Sequence, residues 1–68
     1  MRVKVFFEKS NSARSVEAGK GQTIESLLKK LGINPQTVIV VRNGEVVPEQ
    51  DTLQDKDTLK ILSVKLGG

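Results

Sequence analysis

Thr23-Ile24-Glu25-Ser26-Leu27-Leu28-Lys29-Lys30-Leu31-Gly32-Ile33 is the stretch whose reading decides the fold. Ile24, Leu27, Leu28 and Leu31 recur at i, i+3, i+4 and i+7, which puts four large apolar side chains on one stripe of a helix. Thr23 is placed to cap it, because its hydroxyl can accept an N–H of the first turn that has no partner within the helix. Glu25 sits near the positive end of the helix dipole, and Lys29 and Lys30 sit near the negative end. Gly32 supplies the left-handed residue after the last turn, Ile33 the apolar contact beyond it, and Pro35 prevents continuation. A single amphipathic helix of this length needs a sheet to cover its apolar stripe.

The flanking sequence provides one. Before the helix, Arg2-Val3-Lys4-Val5-Phe6-Phe7-Glu8-Lys9 alternates with period two, the mark of a half-buried strand. Ser10-Asn11-Ser12 is a turn cluster, and a weaker strand around Ala13–Ala18 follows, so the two should form an antiparallel hairpin. After the helix, Val38-Ile39-Val40-Val41 is too short and too β-branched for anything but a strand. Asn43-Gly44 then joins it to Val46-Val47, since both turn residues tolerate positive φ, and Pro48 closes the second arm. Asp51 to Asp57 reads as a loop pinned to the core by Leu53, and Thr58–Val64 as the last strand. Strand, strand, helix, strand, strand, strand gives an α+β fold: a mixed five-stranded sheet with one helix packed across one face. A parallel pairing of the first and last strands suits the crossover rule. This is a β-grasp arrangement, expected over residues 1–64, with 65–68 expected as a flexible tail.

Composition narrows the chemistry. With 68 residues there is room for one domain, near the size at which a single core is only just sufficient. The absence of Cys and His excludes a thiol nucleophile, a disulfide, an imidazole acid or base and a His-ligated metal. A catalytic role is therefore not expected, and neither a metal nor a cofactor bound by the chain itself. The net charge of +3 suits an acidic partner surface or simple solubility. Two phenylalanines and no other aromatic residues make a poor stacking platform for nucleic acid. No run approaches the ~18 apolar residues of a membrane span, and no signal-type apolar segment follows Met1, so a cytoplasmic location is expected.

Three local patterns invite a chemical reading. Ala18-Gly19-Lys20-Gly21-Gln22-Thr23 stands ahead of a helix like a phosphate loop, but Arg14 occupies the place of the first glycine and Gly21 that of the Ser/Thr. A flexible turn explains it better. Asp55-Lys56-Asp57 pairs two carboxylates, yet a calcium loop needs further oxygen ligands and a central glycine. A turn before the last strand is the simpler reading. Gly67-Gly68 is different: at a usage of ~7%, two closing glycines arise by chance in roughly one chain in 200. Without Cβ atoms such a tail is thin and can adopt any backbone angle. It can thread a narrow channel and present its terminal carboxylate to another enzyme.

Strand parity also offers a docking surface. If Val3, Val5, Phe7, Ile39, Val41, Leu59 and Ile61 face the helix, then Lys4, Phe6, Val40, Arg42, Lys60, Leu62 and Val64 face away, with Leu66 continuing the run. An apolar centre of Phe6, Val40 and Leu62 ringed by Lys4, Arg42 and Lys60 has the character of a protein interface.

Taken together, the Thr23–Ile33 helix, Val40-Val41-Arg42-Asn43-Gly44-Glu45-Val46-Val47-Pro48, Asp55-Lys56-Asp57-Thr58-Leu59-Lys60-Ile61 and the closing Gly67-Gly68 resemble the ubiquitin-like sulfur carriers ThiS and MoaD and the small archaeal modifiers related to them. The likeness covers nearly the whole chain. Two departures stand out: Lys56 takes the place of the glycine usual between the aspartates, and the last strand lacks the proline-containing run common in MoaD. The resemblance implies that a partner similar to ubiquitin-activating enzymes uses ATP and Mg²⁺ to adenylate the Gly68 carboxylate. Sulfur from a persulfide then displaces AMP, and the resulting thiocarboxylate donates sulfur to a thiazole in thiamine synthesis, to a molybdopterin precursor or to a tRNA base. In the modifier version, Gly68 is joined to lysines of target proteins. The expected partners are thus the adenylating enzyme and a sulfur-acceptor synthase or target lysines, with the chain a monomer on its own. A reading of another class is a small basic β-grasp module that contacts RNA, its glycines incidental.

Overall fold

The computed structural model describes residues 1–64. Five strands, β1 (Arg2–Phe7), β2 (Ser12–Glu17), β3 (Val38–Arg42), β4 (Glu45–Val47) and β5 (Thr58–Ser63), form one sheet in the order β2-β1-β5-β3-β4. The β1–β2, β3–β4 and β3–β5 pairs are antiparallel, and β1 runs parallel to β5. The mixed sheet, its parallel central pair and the single helix are those the sequence pattern predicts. The helix α1 (Ile24–Lys30) lies on one face and buries Ile24, Leu27 and Leu28. Opposite them are Val3 and Val5 of β1, Val40 of β3 and Leu59 and Ile61 of β5, with Ala18 and Leu53 closing the ends of the core. Each residue of that set removes apolar surface from water, the main favourable contribution in a domain this small.

Both helix ends follow their sequence signals. The Thr23 hydroxyl accepts the Ser26 N–H at 3.1 Å. At the other end Gly32 takes φ 78°, its N–H donates to the Lys29 carbonyl at 3.0 Å, and the Ile33 N–H donates to the Leu28 carbonyl at 2.8 Å. That pair of bonds is the Schellman ending. A short 3₁₀ turn over Pro35–Thr37, absent from the periodicity reading, follows at once. Its signal was present in Asn34-Pro35: the Asn34 side chain accepts the Gln36 N–H at 3.0 Å, and proline suits the first helical position. The β3–β4 turn has φ 54° at Asn43 and 81° at Gly44, the two positive angles that a type I′ hairpin requires. β5 stops at Ser63, one residue short of the expected end, although the Val64 N–H still donates to the Thr37 carbonyl at 3.0 Å.

Lys56 adopts φ 67° in the turn between Asp55 and Asp57, the position where the resemblance calls for glycine. A lysine there carries the Cβ clash of the left-handed region, about 1–2 kcal/mol. Its N–H is held by the Arg2 carbonyl at 2.9 Å, so the turn cannot relax without losing a contact to β1. Lys56→Gly should raise stability by about 0.5–1 kcal/mol, the strain relieved less the greater chain entropy of glycine. A higher urea midpoint at unchanged slope would confirm it, and a lower midpoint would refute the strain assignment.

Candidate protein-docking face

Cross-strand pairing defines what the helix-free side of the sheet presents. One row runs Ala13, Phe6, Lys60, Val41, Val46 across β2, β1, β5, β3 and β4. The next row pairs Leu62 with Ile39, and Lys4 pairs with Thr58 on the other side. Phe6, Ile39, Val41, Leu62 and Val64 are half-buried, whereas Lys4 and Lys60 are exposed. Val46, 70% exposed, is the one large apolar side chain fully open to solvent among the described residues. The result is an apolar strip reaching the β4 edge with two ammonium groups over it, a composition typical of docking surfaces.

This corrects the parity expected for β3. Val40 pairs with Ile61 and is buried beneath the helix, so it belongs to the core. Ile39 and Val41, expected inside, face outward in its place. The run Val38–Val41 is apolar at every position, so period two cannot choose which alternate pair to bury. Arg42 makes the choice. Its Nη1 donates to the Asp57 carboxylate and to the Thr52 carbonyl, each at 3.2 Å, and its Nη2 donates to the Asp51 carboxylate at 3.1 Å. Those groups lie on the helix side, so Arg42 points inward with only 15% of its side chain exposed. It is not part of the outer rim. The signal that could have revealed this was a basic residue ending β3, followed by Asp51 and Asp57 in the loop it closes.

The two alternative chemical readings also meet specific obstacles. The helix N-terminus offers no cradle for phosphate, because the Ile24 and Glu25 N–H groups donate to the Asp51 and Glu49 carbonyls at 2.9 and 2.8 Å. The residues ahead of it form a closed turn, with the Gly19 N–H donating to the Gln22 side chain at 3.0 Å. Asp57 is committed to Arg42 and to the Gln54 N–H at 2.9 Å, and Asp55 accepts the Arg2 N–H at 3.2 Å. Among the described residues, no group of three or more acidic, His or Cys side chains is placed to hold a metal ion. No described helix is long and apolar enough to cross a membrane. Leu66, Gly67 and Gly68, named from the sequence, lie outside the described residues.

The model of the ThiS family matches residues 3–68. The chain belongs to that family. It is 36% identical over 55 residues to the sulfur carrier protein TtuB of Thermus thermophilus, covering 81% of this chain and 85% of that protein. Among solved structures, SAMP1 from Haloferax volcanii superposes with a TM-score of 0.76 at 17% identity over the full length of both chains. Caldiarchaeum subterraneum ubiquitin gives 0.77 at 18% identity, over all of this chain and 98% of that one. The β-grasp sheet and helix are therefore those of a ubiquitin-like protein. Sulfur carriers of the ThiS family are small carrier proteins rather than catalysts.

Replacing Arg42 by methionine keeps the length of the side chain but strands the Asp57 carboxylate, which is only 8% exposed. The expected loss is about 2–4 kcal/mol, most of it the cost of an unpaired buried charge. Chemical denaturation measures it, and a loss below the exposed ion-pair scale of about 1 kcal/mol would show that Arg42 is not the anchor argued above.

Proposed function

We propose that this protein is a sulfur carrier whose terminal Gly68 carboxylate is adenylated by an E1-like enzyme with ATP and Mg²⁺, then converted to a thiocarboxylate. The observation that carries the reading is membership of the ThiS family, with a match that extends to residue 68. The likeness to a named sulfur carrier supports it. Composition agrees: with no cysteine, the chain can hold sulfur covalently only on a carboxyl group. A carboxylate is a poor acyl donor, and transfer of an adenylyl group gives its carbon a good leaving group. A persulfide of the sulfur donor then displaces AMP to give an acyl disulfide, and a donor thiol cleaves its S–S bond, releasing the thiocarboxylate and leaving a disulfide on the donor. Gly67 and Gly68 suit the step because, without side chains, they can enter a narrow channel in the activating enzyme. The thiazole of thiamine is the acceptor we favour, and the cytoplasm the place.

The outer face is the surface by which the activating enzyme would hold the domain while the tail reaches its active site. Phe6, Val41, Val46 and Leu62 supply contact area, and Lys4 and Lys60 steer an acidic partner. Val40 and Arg42 support this face from beneath instead of forming it.

Intact mass of the protein recovered from its own cells tests the chemistry. Replacement of one oxygen by sulfur, lost when Gly67 and Gly68 are deleted, is the expected result. Linkage of Gly68 to lysines of other proteins would instead make it a modifier, and an unaltered carboxylate whenever the activating enzyme is present would overturn both readings. For the face, Lys60→Glu should lower activation efficiency about tenfold, or ~1.4 kcal/mol, without altering stability. Unchanged activation would remove Lys60 from the interface.

A further inference from the structure

We propose that Asn43-Gly44 is a site of spontaneous covalent ageing, at which Asn43 converts through a cyclic imide to aspartate and isoaspartate. The amide nitrogen of Gly44 attacks the side-chain carbonyl carbon of Asn43; a C–N bond forms, the N–H proton is lost and ammonia leaves. Water then opens the five-membered ring at either carbonyl, giving aspartate or an isoaspartate whose backbone runs through the former side chain. No oxidant or cofactor enters, and the net change is NH replaced by O.

Four observations single out this position. Asn43 and Gly44 are both exposed at the tip of the β3–β4 hairpin. Among the described residues, neither the Asn43 side chain nor the Gly44 N–H has a hydrogen-bond partner, so the nucleophile and the leaving group are both free. A Cβ built on Gly44 would meet nothing within 4 Å, so no neighbouring atom crowds the glycine side of the turn. The chain also contains its own controls. Asn34 precedes Pro35, which has no N–H to attack with, and its side-chain oxygen is held by the Gln36 N–H. Asn11 precedes Ser12, whose Cβ hinders the approach.

The position gives the reaction a consequence. The turn joins the Arg42–Glu45 and Val41–Val46 pairs, so an extra methylene in the backbone would break the two-residue geometry that sets their register. A new carboxylate would also lie next to Glu45. The β4 end of the apolar strip and the inward aim of Arg42 both depend on that hairpin.

The full-length protein is held at elevated temperature and mildly alkaline pH, and peptides spanning each asparagine are followed by mass spectrometry. Isoaspartate is counted by its acceptance of methyl groups from an isoaspartyl carboxyl methyltransferase. Asn43 is expected to convert about tenfold faster than Asn11, because glycine presents no Cβ to the closing ring, and Asn34 not at all. Asn43→Gly, which keeps a residue suited to positive φ, should cut methyl acceptance about tenfold, to the level that Asn11 contributes, while leaving the thermal transition in place. Retention of the Asn43 amide while Asn11 converts, retention at all three sites, or methyl acceptance undiminished in Asn43→Gly would each overturn the proposal.

Discussion

The contact between Arg42 and the loop of residues 51–57 governs more of this molecule than any single apolar contact. Arg42 ends β3, and its guanidinium holds the carboxylates of Asp51 and Asp57 and the carbonyl of Thr52. The same loop satisfies the start of the helix: the Asp51 carbonyl accepts the Ile24 N–H, and the Leu53 N–H donates to the Gln22 carbonyl at 2.8 Å. The Asp57 carbonyl accepts the Lys4 N–H at 2.8 Å and so reaches β1. One side chain thus ties together the third strand, the helix N-terminus and the entry to the parallel pair. A seven-residue helix has little stability of its own, since nucleation is costly and its first N–H groups lack internal partners. Packing on the sheet buries its apolar stripe, and the loop supplies the missing acceptors.

That arrangement divides the sheet into two faces with different obligations. The inner face must be apolar and tightly packed, apart from one well-paired buried charge, because an unpartnered polar group there would cost more than a domain of this size can spare. The described residues contain no buried side-chain nitrogen or oxygen without a hydrogen bond. The outer face carries no such restriction. It can hold Lys60 between Phe6 and Val41, where an ammonium group on a flexible stem stays in water while its methylenes cover the neighbours. A substitution on the inner face therefore acts through stability, and on the proposed docking role one on the outer face acts through recognition.

Most of the architecture was legible in the sequence because local and long-range signals agree. Thr23, Gly32 and Asn43-Gly44 each fix a boundary by their own chemistry, and the structure places the boundaries there. The ambiguity lay in Val38–Val41, where four apolar β-branched residues in succession erase the alternation that would assign faces. Its resolution depended on Arg42 meeting two aspartates that lie nine and fifteen residues further on. No local window contains that information. Val46 was missed as a face residue for a related reason: its orientation follows only once Val41 is known to point outward. Lys56 shows the converse, a position where the chain accepts a strained lysine because β1 and the Asp57 side chain define the turn around it.

The missing thiol and imidazole fit this economy. Nucleophiles and proton carriers need tuned environments, which require burial, charged neighbours and a shaped cavity. Among the described residues, a core of ten buried apolar side chains beneath one short helix leaves little interior in which to build them. If the reacting group is a terminal carboxylate, the domain need not tune anything, since the activating enzyme supplies the electrostatics and excludes water. On the proposed function, what would remain for this chain is to be held firmly at one face while a glycine pair reaches into a site built by another protein. A rigid sheet held in register by the Arg42 contact suits that task, because any slack in the face would be passed on to the position of the reacting carbon.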